Sequence, residues 1–228
     1  MRRIFRIKIK KEKEQKLKLT VLYPFMEDSF SENTVSFIEE LVWLKNAQAI
    51  DLLITVDKEG KTSEALKKAR LSYEIVAFPS PVRTRNFYFV ALFKLIRYSL
   101  PLFFYFKTHR IDVLHCPDVL SLLCWGNVSK MNRIPFITSV QNNEKFSHYA
   151  SLMLTDSRKI ICRNEEIRSK MPKRFSLTSL LAPRAQNQGL TEDMTVLRKE
   201  TADFWIKLYV SLFLKPNLNK ITGILNKD

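Results

Sequence analysis

Residues Ile111 to Glu144 read IDVLHCPDVLSLLCWGNVSKMNRIPFITSVQNNE. A short apolar run, Ile111 to Leu114, ends in His115. A Pro117-Asp118 step follows, then an apolar-periodic segment of helical length over Val119–Met131. A second apolar run, Pro135 to Val140, ends in the polar Gln141-Asn142-Asn143-Glu144. Short apolar runs without strict alternation predict strands buried on both faces, which is the habit of parallel sheets. The stretch therefore predicts strand, helix, strand, with polar side chains just past each strand. In an open parallel sheet that edge is where ligands bind.

The same alternation extends in both directions. Upstream, strands are predicted at Leu17–Tyr23, Ile50–Val56 and Tyr73–Phe78, with helices from Ser31 or Asn33 to Ala47 and over Thr62–Arg70. A long apolar helix is predicted over Asn86–Phe106. Downstream come a helix over Glu144–Leu154, a strand at Lys159–Cys162, a helix over Glu165–Met171 and a last strand at Leu177–Leu181. The fold class is α/β: a Rossmann-like three-layer sandwich whose mostly parallel sheet has about seven strands, with C-terminal helices. The chain divides into a basic tail (residues 1–16), the Rossmann-like domain (17–185), a polar linker (186–193) and a C-terminal helical part (194–228). In the last part an amphipathic helix is expected over 194–214, stopped by Pro216.

Composition narrows the chemistry. The 228 residues are 46% hydrophobic, enough for a sizeable core and unlike a disordered chain. Only four glycines occur, and neither GxGxxG nor GxxxxGK[ST] is present, which disfavours the usual dinucleotide and P-loop readings. The net charge is +15. Nine basic residues and two acidic ones fall within residues 1–18, and the body is basic as well. Such a balance suits anionic partners, an anionic membrane surface or phosphates among them; it is equally the mark of a solvated tail. Nucleic acid is supported by charge alone, since no nucleic-acid-binding motif occurs. Three cysteines without CxxC spacing argue against a metal or disulfide framework and for a reducing compartment. The basic N-terminus lacks a continuous apolar run after it, so no cleaved signal peptide is read.

Each candidate site residue carries two readings. His115, at a strand end, is either a base or hydroxyl-binding group, or a satisfied polar side chain. Asp118 is either the cap of the next helix or a group orienting His115 or a sugar hydroxyl. Gln141, Asn142, Asn143 and Glu144 suit a hydroxyl-rich ligand, because amides donate and accept; the alternative is a loop and a helix cap. Asn164 and Glu165 admit the same pair of readings. Arg83 and Arg85 either meet a phosphate or face water. In the Asn86–Phe106 segment, Lys94 and Arg97 each cost about 2.5–3.5 kcal/mol at a membrane centre, which about a dozen apolar residues returning roughly 0.3–0.6 kcal/mol each only balance. A spanning helix is not favoured. The segment is either a core helix with one wet stripe or a surface inserted shallowly into a membrane interface.

These motifs resemble the N-terminal domain of glycosyltransferases with the two-Rossmann, B-type fold, in the family-4-like group. Asp112-Val113-Leu114-His115-Cys116 resembles the family's "DVVHAH" strand end. Arg133 to Gln141 resembles "xxIPVVxTxHG", and Thr155 to Ile167 resembles "ADxIIAxSExxRxxL". Leu181-Ala182-Pro183-Arg184-Ala185 stands where the family has "VIPNGVD". There are departures. Pro24 to Ser29 has no glycine where the family has a Gly-Gly loop, Gln141 replaces a His, and Arg184-Ala185 replaces Asn-Gly. Residues 186–228 are too few for the second Rossmann domain, which carries most donor contacts. The resemblance implies an acceptor-side domain taking part in sugar transfer from a nucleotide sugar to a lipid-linked or envelope glycan. It implies His115 as the catalytic group, no tightly bound cofactor, and a nucleotide-sugar donor held by a second domain or a separate protein subunit. A cytoplasmic location, peripheral on the inner face of a membrane, would follow. The alternative is a non-catalytic membrane- or partner-binding module derived from that fold.

Overall fold

The computed structural model describes residues 18–77, 99–140, 154–176, 179–181 and 192–225. Among the described residues seven strands run in one sheet: β1 (Leu19–Phe25), β2 (Ile50–Val56), β3 (Glu74–Ile75), β4 (Val113–Cys116), β5 (Phe136–Val140), β6 (Lys159–Cys162) and β7 (Leu180–Leu181). Their order is β3-β2-β1-β4-β5-β6-β7, and every described pairing is parallel. The helices are α1 (Glu32–Ala47), α2 (Lys61–Lys68), α3 (residues 99–108), α4 (Val119–Met131), α5 (its described end at 154–156), α6 (Glu165–Lys170), α7 (Lys173–Ser176) and α8 (Glu192–Leu225). The predicted α/β class, parallel sheet and strand number are those observed.

Two cores follow from the strand pleat. Val21, Tyr23, Phe25, Val113, Ile137 and Ile161 face one side and pack with α1, α2 and α8. Leu22, Leu114, Cys116, Phe136, Val140 and Cys162 face the other and pack with α3, α4, α6 and α7. Helices on both faces make the sheet doubly wound. Connections from β1 step one way to β2 and β3, then the chain returns to place β4 on the other side of β1. The topological switch point therefore lies between β1 and β4.

Local chemistry sets the helix ends. Asp118 caps α4 by accepting from the Ser121 N–H at 2.7 Å, and Asn164 caps α6 by accepting from the Ile167 N–H at 2.8 Å. Past the C-terminal ends of α1, α2, α3 and α4 the left-handed turn is made by Gln48, Arg70, Arg110 and Arg133 (φ 50 to 58°), positions that glycine usually fills. This accounts for part of the low glycine count. Asp112, the first residue of the strand-end motif, extends the ladder toward β1: its N–H donates to Thr20 O at 3.0 Å and its carboxylate accepts from Thr20 N–H at 2.9 Å.

Three elements differ from expectation. Strand β1 runs through Pro24 to Phe25; the proline is tolerated because the described pairing with β4 stops at Leu22. Strand β3 has two residues, both exposed, at the sheet edge. Helix α8 continues through Pro216 for 34 residues, about 50 Å at the usual rise. It is no loose extension: Ala202, Trp205, Leu208, Tyr209 and Leu212 are buried in the core that covers β1, β4, β5 and β6. Among the described residues no helix is long and apolar enough to cross a membrane.

Candidate functional site

At the switch point the chain leaves β1 through Met26 and a 3-10 turn, Glu27–Ser29. The turn is tied to both neighbours. Ser29 Oγ lies 2.6 Å from Asp118 Oδ2, which links it to the start of α4. Glu27 N–H donates to Asp57 Oδ1 at 2.8 Å, which links it to the end of β2. The Glu27 carboxylate then reaches the N-terminus of α2, accepting from the N–H of Lys61 at 2.6 Å and of Thr62 at 2.9 Å. A helix N-terminus is an electropositive place where a ligand phosphate would otherwise sit. Here the protein's own carboxylate fills it. Gly60 belongs to this contact: a Cβ there would lie 2.4 Å from the Glu27 carboxyl carbon. Asp57 and Asp118 are buried, and burial raises both carboxyls above the ordinary aspartate range.

His115 is fully enclosed, at 0% exposure. Its ring lies among Tyr23, Phe37 and Trp205, with centroids 5.0–5.3 Å away. Both nitrogens are held: Nδ1 is 2.6 Å from Tyr209 Oη, and Nε2 is 2.7 Å from Ser139 Oγ. Tyr23 Oη donates to Tyr209 Oη at 2.8 Å. Tyr209 must then donate to Nδ1, which leaves Nε2–H to donate to Ser139. This order fixes one neutral tautomer. Burial drives the imidazole pKa down to about 3. A ring so placed leaves no nitrogen open to a substrate. What it does in this geometry is join α8 to β4 and β5.

Arg163, directly after β6, forms the other polar cluster at this edge. Its guanidinium pairs with Glu40 Oε1 at 3.0 Å and also bonds Ser36 Oγ. The second Glu40 oxygen accepts from Trp205 Nε1–H at 3.0 Å. Glu40 is 1% exposed; burial raises its carboxyl, against the pull of Arg163 and the Trp205 hydrogen bond. The cluster ties α1, β6 and α8 together.

Of the sequence candidates, Asp118 and Asn164 serve as helix caps, and Glu165 is exposed and pairs with Arg168 at 3.5 Å. Gln141, Asn142, Asn143, Glu144, Arg83 and Arg85 lie outside the described residues. Sequence reading missed Glu27, Glu40, Arg163, Trp205 and Tyr209. Glu40 left a signal: it lies on the same helical stripe as Phe37, Leu41 and Leu44, where a carboxylate needs a buried partner. An open groove of about 760 Å³ lies along α1 and α2; its lining begins beside the switch-point turn at Phe30 and Lys61 and includes Val42, Trp43, Ala65 and Arg198.

Solved structures share this fold. A glycosyltransferase from Rickettsia africae matches with a TM-score of 0.55 at 15% identity, over 82% of this chain and 50% of that one. MurG from Acinetobacter baumannii matches with a TM-score of 0.51 at 12% identity, over 76% and 50%. HepE from Anabaena, in complex with UDP and glucose, matches with a TM-score of 0.52 at 10% identity, over 80% and 50%. The chain thus spans about half the length of these proteins. No protein-family model matches the sequence, and no curated protein does.

Proposed function

We propose that the chain is the acceptor-side half of a two-Rossmann glycosyltransferase, taking part in sugar transfer from a nucleotide sugar to a lipid-linked or envelope glycan. The donor is bound by a second half, supplied by a further domain or a separate subunit. The carrying observation is the doubly wound sheet closed by α8, matched by a glycosyltransferase over half its length. Helix α8 follows β7 after ten residues and returns to the core.

The internal bonding at the switch point agrees with this division. Glu27 occupies the α2 N-terminus, and Asp57 is spent on the Glu27 backbone. Neither is offered to a nucleotide. Acceptor contacts fall to the amide-rich Gln141–Glu144 segment after β5, with Arg83 available to a phosphate. In this reading His115 is a positioning residue: it holds Ser139, two residues before Gln141.

The test is purification of the tagged chain from its own cells, followed by assay of labelled sugar transfer from UDP- and GDP-sugars to a lipid extract. A nucleotide-sugar-binding protein is expected to co-purify. Transfer should require both and drop at least tenfold in Gln141→Ala/Asn143→Ala. A chain that purifies alone and supports no transfer in any mixture contradicts the reading. That outcome would favour a non-catalytic module, the reading to which the enclosed His115 otherwise points.

A further inference from the structure

The groove along α1 and α2 has a volume of about 760 Å³, within the usual range of ligand sites, roughly 300–1,000 Å³. On α1 its lining recurs at every turn, at Val35, Ile38, Glu39, Val42, Trp43 and Asn46. From Val35 to Asn46 is about 16 Å of helix, so the site has the shape for a chain-like ligand. On the α2 wall Ala65 and Ala69 leave room for a ligand ring between Glu64 and Lys68. Trp43 is half-buried, and Arg198 of α8 lies over its ring at 5.7 Å. Glu39, Asn46, Lys61, Glu64, Lys68 and Arg198 line the groove and are exposed. Three of these are basic and two acidic, a near-balance on a chain that carries +15.

We propose that this groove holds the distal sugars of the acceptor, so that the acceptor is a neutral glycan already several sugars long. Its place as an acceptor subsite rests on the sugar-transfer reading; its affinity for glycan does not. Charge complementarity selects the ligand: a nearly balanced lining suits a neutral chain, whereas an anionic one is drawn to the rest of this basic protein. Sugar hydroxyls donate and accept, and the lining does both, with Glu39 and Glu64 accepting, Lys68 and Arg198 donating, and Asn46 able to do either. Trp43 offers an apolar ring to the C–H face of a sugar. An extended peptide finds no open backbone here, because both walls are helices bonded within themselves. A partner helix needs apolar anchors along its whole contact, and on the α2 wall charged residues alternate with alanines. The groove also begins beside the switch-point turn, at Phe30 and Lys61, so a chain leaving the ligand edge of the sheet continues into it.

The test is calorimetric titration of the full chain, with no donor present, using neutral oligosaccharides released from the envelope glycan of its own cells and single hexoses for comparison. The oligosaccharides should bind, and the hexoses at least about tenfold more weakly, since one ring fills only part of the groove. Trp125 and Trp205 are buried and Trp43 is not, so a shift in tryptophan fluorescence on binding reports the groove. Trp43→Ala should weaken oligosaccharide binding about tenfold. Glu39→Ala/Glu64→Ala, at two exposed positions, should weaken it several-fold, and unchanged urea midpoints would show that the variants fold. Absence of oligosaccharide binding overturns the proposal, as do folded variants that bind like wild type. Variants that lose a co-purifying protein and keep the glycan overturn it too, the groove then being a protein contact. Binding that depends on Trp43 in a chain that supports no transfer keeps the glycan site and overturns the sugar-transfer reading. Transfer by Trp43→Ala with an unchanged KM for the glycan overturns the groove alone.

Discussion

Replacing Trp205 by alanine is expected to cost about 3–5 kcal/mol of folding stability, the range for truncating a buried aromatic side chain. Trp205 is 1% exposed, stacks on Tyr209 and packs edge-on against Phe37. Its indole N–H also holds Glu40, so the variant leaves a buried carboxylate with one partner fewer. Most domains are stable by only about 5–15 kcal/mol, so the urea midpoint should fall steeply or the transition should lose cooperativity. Phe104→Ala, which removes a smaller aromatic ring that is exposed, should stay within about 0.5 kcal/mol of wild type. A Trp205→Ala midpoint close to wild type would show that α8 is not part of the folding unit.

The second large effect is on pH dependence. His115 has a folded pKa of about 3 against an ordinary value of 6.5. The unfolded chain therefore takes up a proton between those values that the folded chain refuses. The stabilisation is full above pH 6.5 and is lost as pH falls toward 3, at about 1.4 kcal/mol per pH unit. Between pH 7 and pH 5 the loss is about 2 kcal/mol. The raised carboxyls of Glu40, Asp57 and Asp118 act in the opposite sense: folding favours their protonated forms, so they add stability as pH falls. The His115 contribution is isolated by subtraction. Urea midpoints of wild type and His115→Gln should converge as pH falls from 7.5 to 5. Curves that run parallel would mean that the imidazole is solvated.

The fold was legible because its signals are local. The apolar runs at Val113, Phe136 and Lys159 and the periodic segment from Val119 to Met131 mark strands and helix within a residue or two. Asp118 carried its capping role in its position before that segment. The chemistry of the edge was less legible, because it depends on distant residues. The hydroxyl on His115 Nδ1 comes from Tyr209, 94 residues on, and the indole on Glu40 from 165 residues on. No periodicity announces such a pairing. The amphipathic pattern of α8 predicted a helix but not that it closes the sheet, since the pattern shows that a face is apolar and not what it covers. Pro216 was read as a stop, yet the helix runs through it; loss of one backbone hydrogen bond does not end so long a helix.

An acceptor-side half should not bind the donor by itself. Calorimetric titration of the isolated chain with UDP- and GDP-sugars tests it. With the α2 N-terminus occupied by Glu27 and Asp57 bonded to the Glu27 backbone, no micromolar binding is predicted for any of them. A nucleotide sugar that binds the chain alone with micromolar affinity would contradict the division into acceptor and donor halves.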